Sequence, residues 1–354
     1  MRKLLLSLFL FLFLSGLWAQ EFHFSQFTNA PLFLNPALSG FHKNKYRGII
    51  NYKRQAGVSG TSGSFNTFAA SFDMPALGYL IEDGFAGIGL SLYNDKAGVA
   101  NLSTTRVDVS PAIHIEIVDQ NYISIGIQAS FMQKRFNPTN LTFGNQFNGY
   151  TYDPNLSPQE NNLLNSKYSA VDFATGIEWH NRLKDHIIYY TGFSLYHINS
   201  PKENFLEETN RIKMKAIYNA NIEYDLNDVY SIYSTLIYIR QGRYNELNIG
   251  LWGKYKVNQE LGFSLGAMIR SLDMVTLRAK MHYHHFDLGI SYDFGLSGIK
   301  NINRTFSSYS PELALSYFYG RNMDINKNMW ATPDSKRRHH MNRGKYKKIH
   351  HAKF

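Results

Sequence analysis

Along residues 107–131 apolar and polar side chains alternate with a period of two. Val107, Val109, Ile113, Ile115 and Ile117 are interleaved with Asp108, Ser110, Ala112, His114 and Glu116. Ile123, Ile125, Ile127, Ala129 and Phe131 then follow, with Ser124, Gly126, Gln128 and Ser130 between them. This period puts one set on each face of a β-strand. It returns where Val171, Phe173, Ile177 and Trp179 oppose Asp172, Ala174, Gly176 and Glu178, and where Leu247, Ile249 and Leu251 oppose Asn248 and Gly250. Two later segments repeat it, Leu261, Phe263, Leu265, Ala267 and Ile269 against Gly262, Ser264, Gly266 and Arg270, then Phe286, Leu288, Ile290 and Tyr292 against Asp287, Gly289, Ser291 and Asp293. The pattern predicts strands over residues 44–55, 65–73, 85–94, 102–118, 120–136, 168–180, 186–198, 211–225, 229–240, 245–257, 259–270, 273–283, 285–294 and 310–320.

The polar face decides what kind of sheet this is. In a soluble sandwich it would be rich in Lys and Glu; here it is mostly Gly, Ser, Asn and Asp, which suits the lumen of a transmembrane barrel. The fold class expected is therefore all-β, an outer-membrane β-barrel of about fourteen antiparallel strands, an even number as closure in a bacterial barrel requires. Tyr93, Trp179, Tyr189, Tyr190, Trp252 and Tyr255 lie near segment ends and suit interfacial girdles. Connections alternate in length: residues 137–167, 199–210 and 295–309 are long, whereas Asp119, residues 181–185 and 226–228, Asn258 and His284 are short, with residues 74–84 the exception. Short periplasmic turns and longer surface loops would put both termini in the periplasm.

Composition sharpens this reading in three places. There is no cysteine among the 354 residues, which excludes disulfides, thiolate metal sites, cysteine nucleophiles and a lipidated N-terminal cysteine. Residues 1–19 have the form of a secretory signal, with Arg2 and Lys3, an apolar run over 4–14 and Ala19 at the end, so a mature chain from Gln20 is expected. The net charge of +10 is concentrated in the signal and in residues 321–354, where ten Lys and Arg face two Asp; residues 20–320 carry no net charge. Binding of nucleic acid by the body has no electrostatic support.

Residues 22–43, punctuated by Pro31 and Pro36, precede the first strand. Their apolar Phe24, Phe27, Leu32, Phe33 and Leu34 have no strand to belong to, and residues 20–43 are expected to form a periplasmic cap or plug packed in the barrel mouth. Asn94, Asp95, Lys96, Ala97 and Gly98 read as a tight loop. Arg278, Lys280, His282 and His284 share one face and read as a solvated basic wall, with Asp287 and Asp293 able to pair with it. Gly87 and Gly89 lack the third glycine of a dinucleotide site, and no acid or histidine stands beside a nucleophile elbow. No catalytic residue, cofactor or metal site is assigned. The long segment 137–167 is the best candidate for surface recognition, with Leu141, Phe143, Phe147 and Tyr150 as its apolar anchors.

The entry FHFSQFTNAPLFLNPALSG with YRGIINYKRQ, then FNTFAASFDMPAL, GIGLSLYNDKAGVANLST, ISYDFGLSGI and PELALSYFYG resembles the PorP/SprF family over residues 22–320. The resemblance implies a non-enzymatic outer-membrane barrel of the type IX secretion and gliding machinery of Bacteroidota. Such a barrel would bind or retain a secreted, adhesin-like surface protein and link it to periplasmic secretion or motor components. The alternative from another class is a diffusion channel or transporter for a small solute. Residues assigned to partner contacts are Phe24, Phe27, Phe33, Asn35 and Pro36 of the entry, Asn94, Asp95 and Lys96, and Phe143 and Phe147. To these the basic tail adds Lys336, Arg337, Arg338, Arg343, Lys345, Lys347 and Lys348. Partners expected are outer-membrane lipid, the secreted protein and periplasmic components met by the tail; nucleic acid is not among them.

Overall fold

The computed structural model describes residues 24–55, 65–76, 83–98, 102–118, 120–135, 143–153, 155–156, 167–184, 186–205, 208–271, 274–295 and 310–321. Sixteen strands form among them: β1 Asn44–Gln55, β2 Phe65–Ala76, β3 Gly84–Ala97, β4 Leu102–Val118, β5 Asn121–Arg135, β6 Lys167–Lys184, β7 Ile187–Tyr196, β8 Lys202–Phe205, β9 Glu208–Arg211, β10 Lys215–Asp225, β11 Tyr230–Gln241, β12 Tyr244–Lys256, β13 Leu261–Arg270, β14 Met274–Tyr283, β15 Phe286–Gly295 and β16 Ser310–Arg321. Fourteen of them pair antiparallel with their neighbours and close into a barrel, β1 meeting β16 with Ile50 opposite Leu315. β8 and β9 form a separate hairpin between β7 and β10, tied to the wall by an ion pair of Glu203 with Lys134.

The alternation is inside out relative to a soluble protein. Val107, Ile113 and Leu265 are 47%, 50% and 68% exposed on the outer face, whereas Asp108, His114 and Glu178 are fully buried inside. Closure of β1 on β16 leaves no sheet edge, so the central strands pair their backbone groups with one another without water. The described residues include no helix long and apolar enough to cross a membrane; the strands do the crossing.

Both ends of the barrel are differentiated. At one, strands are joined by turns such as residues 226–229 and 257–260, where the Asn227 and Asn258 carboxamide oxygens each accept two backbone N–H bonds. Outward aromatics cluster there: Tyr46 stacks between Phe72 and Tyr319 at 5.9 and 6.0 Å, and Tyr230 on Tyr255 at 5.3 Å. Such a belt fits the membrane interface. The opposite end carries the long connections.

Three expectations change. β3 continues to Ala97, so Asn94, Asp95 and Lys96 are strand residues paired to β2 and β4 rather than a tight loop, and only Gly98, at φ 68°, turns. Cross-strand side-chain hydrogen bonds hold the first two extended, from Asn94 Nδ2 to Thr105 Oγ1 at 2.8 Å and from Thr67 Oγ1 to Asp95 Oδ1 at 2.6 Å. Of the expected girdle residues, Tyr93, Tyr190 and Trp252 face the lumen; consecutive residues point oppositely, so Tyr189 and Tyr190 cannot both reach lipid. His284 sits in a turn at φ 51° beside Glu260 and leaves the basic wall to Arg278, Lys280 and His282.

Candidate functional site

The lumen is occupied by residues 24–43. Three single helical turns, Phe27–Asn29, Pro31–Leu34 and Pro36–Leu38, follow one another, with Pro31 and Pro36 at first positions where a missing N–H costs nothing. Asn35 joins the last two, its side chain accepting from Ala37 N at 3.0 Å. Such short turns do not persist alone; the wall holds them at three levels.

Near the loop-bearing ends of β1, β15 and β16, Ser25 N and Gln26 N donate to the two Glu312 carboxylate oxygens at 2.7 and 3.1 Å. Ser25 Oγ donates to Asp293 at 2.7 Å, and Lys53 Nζ lies 2.9 Å from the same carboxylate and 2.7 Å from Ser25 Oγ. At mid-depth Asn35 Nδ2 donates to Glu178 Oε2 at 2.8 Å and to Ile177 O at 3.0 Å, while Asn219 takes the other Glu178 oxygen at 2.9 Å. Toward the turn-bearing end Gly40 N donates to Asp73 at 2.8 Å, and Arg47 clamps that carboxylate through Nε and Nη2 at 2.8 and 2.6 Å. His114 Nε2 is 2.8 Å from Ser39 O, so this nitrogen carries the proton and Nδ1 accepts from Ser124 Oγ at 2.7 Å.

Apolar packing fills the space between these anchors. Phe27, Leu34 and Leu38 pack with luminal Tyr196, Ile217, Ile237, Ile239 and Met268, and Phe24 packs with Ala30, Ala69 and Tyr93. Phe41 lies against Phe85 and Tyr122 at ring-centroid distances of 6.0 and 5.8 Å. The hydrophobic core of this protein is thus its own N-terminal segment against a patch of the inner wall.

His42, near the end of this segment and before β1, is drawn down to about 4 by burial and, secondarily, by Arg47. It is therefore neutral beside Asp73 at neutral pH, which leaves Arg47 as the partner that balances that carboxylate.

Two of the cavities around the segment among the described residues bear on function. One, on the loop side, is lined by Phe24, Phe27, Phe33 and Tyr93 with Arg106, Lys215, Ile217, Ile239 and Tyr244. Its Arg106 guanidinium stands 5.8 Å from the Phe33 ring and 5.6 Å from Tyr93. The second, on the turn side, lies between Thr28 and β10–β14. Between β5 and β6 in the chain, residues 143–153 and 155–156 form a small folded unit. A bridge joins Phe147 to Tyr152, Gln146 Nε2 donates to Leu156 O at 3.1 Å, and Phe147 and Tyr150 are 57% and 96% exposed.

The sequence-assigned partner residues separate into groups. Phe24, Phe27 and Phe33 meet at the loop-side cavity. Asn35 and Pro36 are fully enclosed at mid-lumen, the Asn35 amide already bonded to the wall, so neither offers a surface to a partner. Asn94 and Asp95 are half-buried, Lys96 is exposed, Phe143 is half-buried and Phe147 exposed. Lys336, Arg337, Arg338, Arg343, Lys345, Lys347 and Lys348 lie outside the described residues, as do residues 1–19. Sequence reasoning did not find Tyr196, Ile217, Ile237, Ile239 and Met268 as luminal, because a period-two pattern does not say whether an apolar face meets lipid or the luminal segment. The wall partners Glu178, Asp73, Asp293 and Glu312 carried a usable signal, as acids on faces otherwise made mostly of small residues, Asp73 among Thr67, Ala69 and Ser71 and Glu312 beside Ala314 and Ser316.

Among solved structures the barrel is similar to that of a Pseudomonas aeruginosa FadL homologue, with a TM-score of 0.51 at 9% identity over 82% of this chain and 94% of that one. It is likewise similar to a TodX monoaromatic hydrocarbon channel mutant, with a TM-score of 0.50 at 10% identity and the same coverages, 82% and 94%. At such identities the likeness shows the fold alone. No curated protein matches the chain. The family model described as type IX secretion system membrane protein PorP/SprF matches residues 18–317, from before the luminal segment to within the final strand, and the chain belongs to that family.

Proposed function

We propose that this barrel is a non-enzymatic component of type IX secretion that retains a secreted surface protein at its loop-bearing face, in the outer membrane of a Gram-negative bacterium. Its turn-bearing face, where β16 ends, meets periplasmic components of the machinery together with the basic residues 336–348. The observation that carries this reading is the N-terminal segment itself. It is fastened across the lumen, so the exposed Phe147 and Tyr150 and the aromatic cavity above Phe24 and Phe33 form a receiving face closed from below. Family membership supports secretion as the setting. Exposed aromatics are suited to a protein partner because they supply contact area at small entropic cost. In the native host, Phe147→Ala combined with Tyr150→Ala should release at least tenfold more of the retained protein into the medium with barrel abundance unchanged; unchanged retention would refute this face.

The apolar lining of the loop-side cavity also suits a small apolar solute. Growth dependence on such a solute that disappears with the barrel, and with no secreted protein released, would favour that second reading.

A further inference from the structure

The turn-side cavity carries more positive charge than fastening the luminal segment uses, although Arg278 and Lys280 donate to Thr28 and Asn29 of that segment. Elsewhere in the lumen cations are matched by carboxylates, as in Arg47 with Asp73, Lys53 with Asp293 and Arg106 with Asp108. On β14, Arg278, Lys280 and His282 point inward in succession, and Lys254 of β12 lines the same cavity across Ser264 of β13. Asp287 serves two of them, at 2.7 Å from His282 and 3.6 Å from Lys280, while Glu223 accepts from Tyr233 at 2.7 Å. Arg278 has no carboxylate within 4 Å among the described residues; it donates to Thr28 Oγ1 at 2.6 Å and stands 5.0 Å over the Trp252 ring. Lys254 makes no hydrogen bond or ion pair with any described residue. Two unmatched cations therefore face one space of about 100 Å³.

That volume is roughly three water molecules, or one compact oxyanion, on a liquid share of about 30 Å³ per water. Like charges held together in a low-dielectric wall repel, and an anion between them removes the repulsion while gaining charge-assisted bonds. We infer that this cavity is a binding site for one compact oxyanion, a carboxylate or a phosphate, with Lys254 and Arg278 as its ligands and the Trp252 ring fixing the guanidinium. The anion comes either from solution as free phosphate or as a carboxylate on a peptide chain entering the turn-side mouth.

Calorimetric titration of the purified full-length barrel in non-ionic detergent tests this with two probes, inorganic phosphate and a short blocked peptide bearing one glutamate. Saturable binding of at least one is expected, weakened tenfold or more in Lys254→Gln and unaltered in Arg54→Gln, an exposed cation at the opposite end on β1. Lys254 is half-exposed and unpaired, so its replacement leaves the fold intact, which heat-modifiable gel mobility verifies. Phosphate bound more tightly identifies a free-ion site; peptide bound more tightly identifies a chain carboxylate. No saturable binding of either probe, or equal affinity in Lys254→Gln, would overturn the inference.

Discussion

Replacing Lys53 by methionine is expected to destabilise the barrel by about 3–5 kcal/mol, the range for removing one partner from a buried ion pair. Lys53 is 2% exposed, and its ammonium is the nearest cation to Asp293. Ser25 and Thr276 also donate to Asp293, each at 2.7 Å, but both are neutral; the nearest remaining cation, Arg270, is 4.0 Å away. Without Lys53 two carboxylates, Asp293 and Glu312, stay enclosed around Ser25 with insufficient positive charge. The temperature at which the folded band converts to the slow band on a detergent gel should fall clearly, and Lys53→Arg should recover much of the loss. An unchanged transition in Lys53→Met would mean that the cluster does not hold the segment in place.

The second large effect is steric. A Cβ built on Gly87 would lie 1.9 Å from Ser39 O, and one on Gly126 would lie 2.4 Å from the Pro36 carbonyl carbon. Both obstructions are backbone, so the luminal segment has to move. Gly40, at φ 73° and itself against Gly87, has no easy alternative conformation. Overpacking usually costs about 1–3 kcal/mol. In Gly87→Ala that cost falls on the contact of Ser39 with His114. A cysteine placed at Ser39, fully buried in the parent, should change from inert toward maleimide to reactive within minutes in the Gly87→Ala background, and Gly126→Ala should act similarly. Continued protection in both would show that the segment is not packed against these strands.

How much of this was legible in the sequence follows from what a period-two pattern reports. It gives strand positions and which residues share a face, so the barrel, its strand count and the contrast between Asn-containing turns and long connections could all be read from residues such as Val107, Asp108 and Asn258. It does not say what a face meets. Ile217, Ile237 and Ile239 alternate as lipid-facing residues would, yet cover Phe27 and Leu34 inside. Tyr93, Tyr190 and Trp252 were misplaced for the same reason. Asn94 to Lys96 look like a turn, but the Asn94 and Asp95 side chains bond across the ladder, Lys96 continues the strand register, and propensity gives way to pairing. The loose apolar residues at the entry could be read as a plug, whereas its attachment could not. Ser25 and Glu312 are 287 residues apart, and nothing local to either names the other.

The role we propose for the barrel is to hold a secreted protein at its loop face, and a photo-cross-linker tests that most directly. With benzoylphenylalanine in place of Tyr150, the most exposed aromatic of the folded loop unit, irradiation of living cells should yield a covalent adduct between the barrel and a secreted protein. The same substitution at Tyr255 in the turn-side aromatic belt should give no such adduct. Cells that export their surface proteins normally but show no adduct at position 150 would contradict the account.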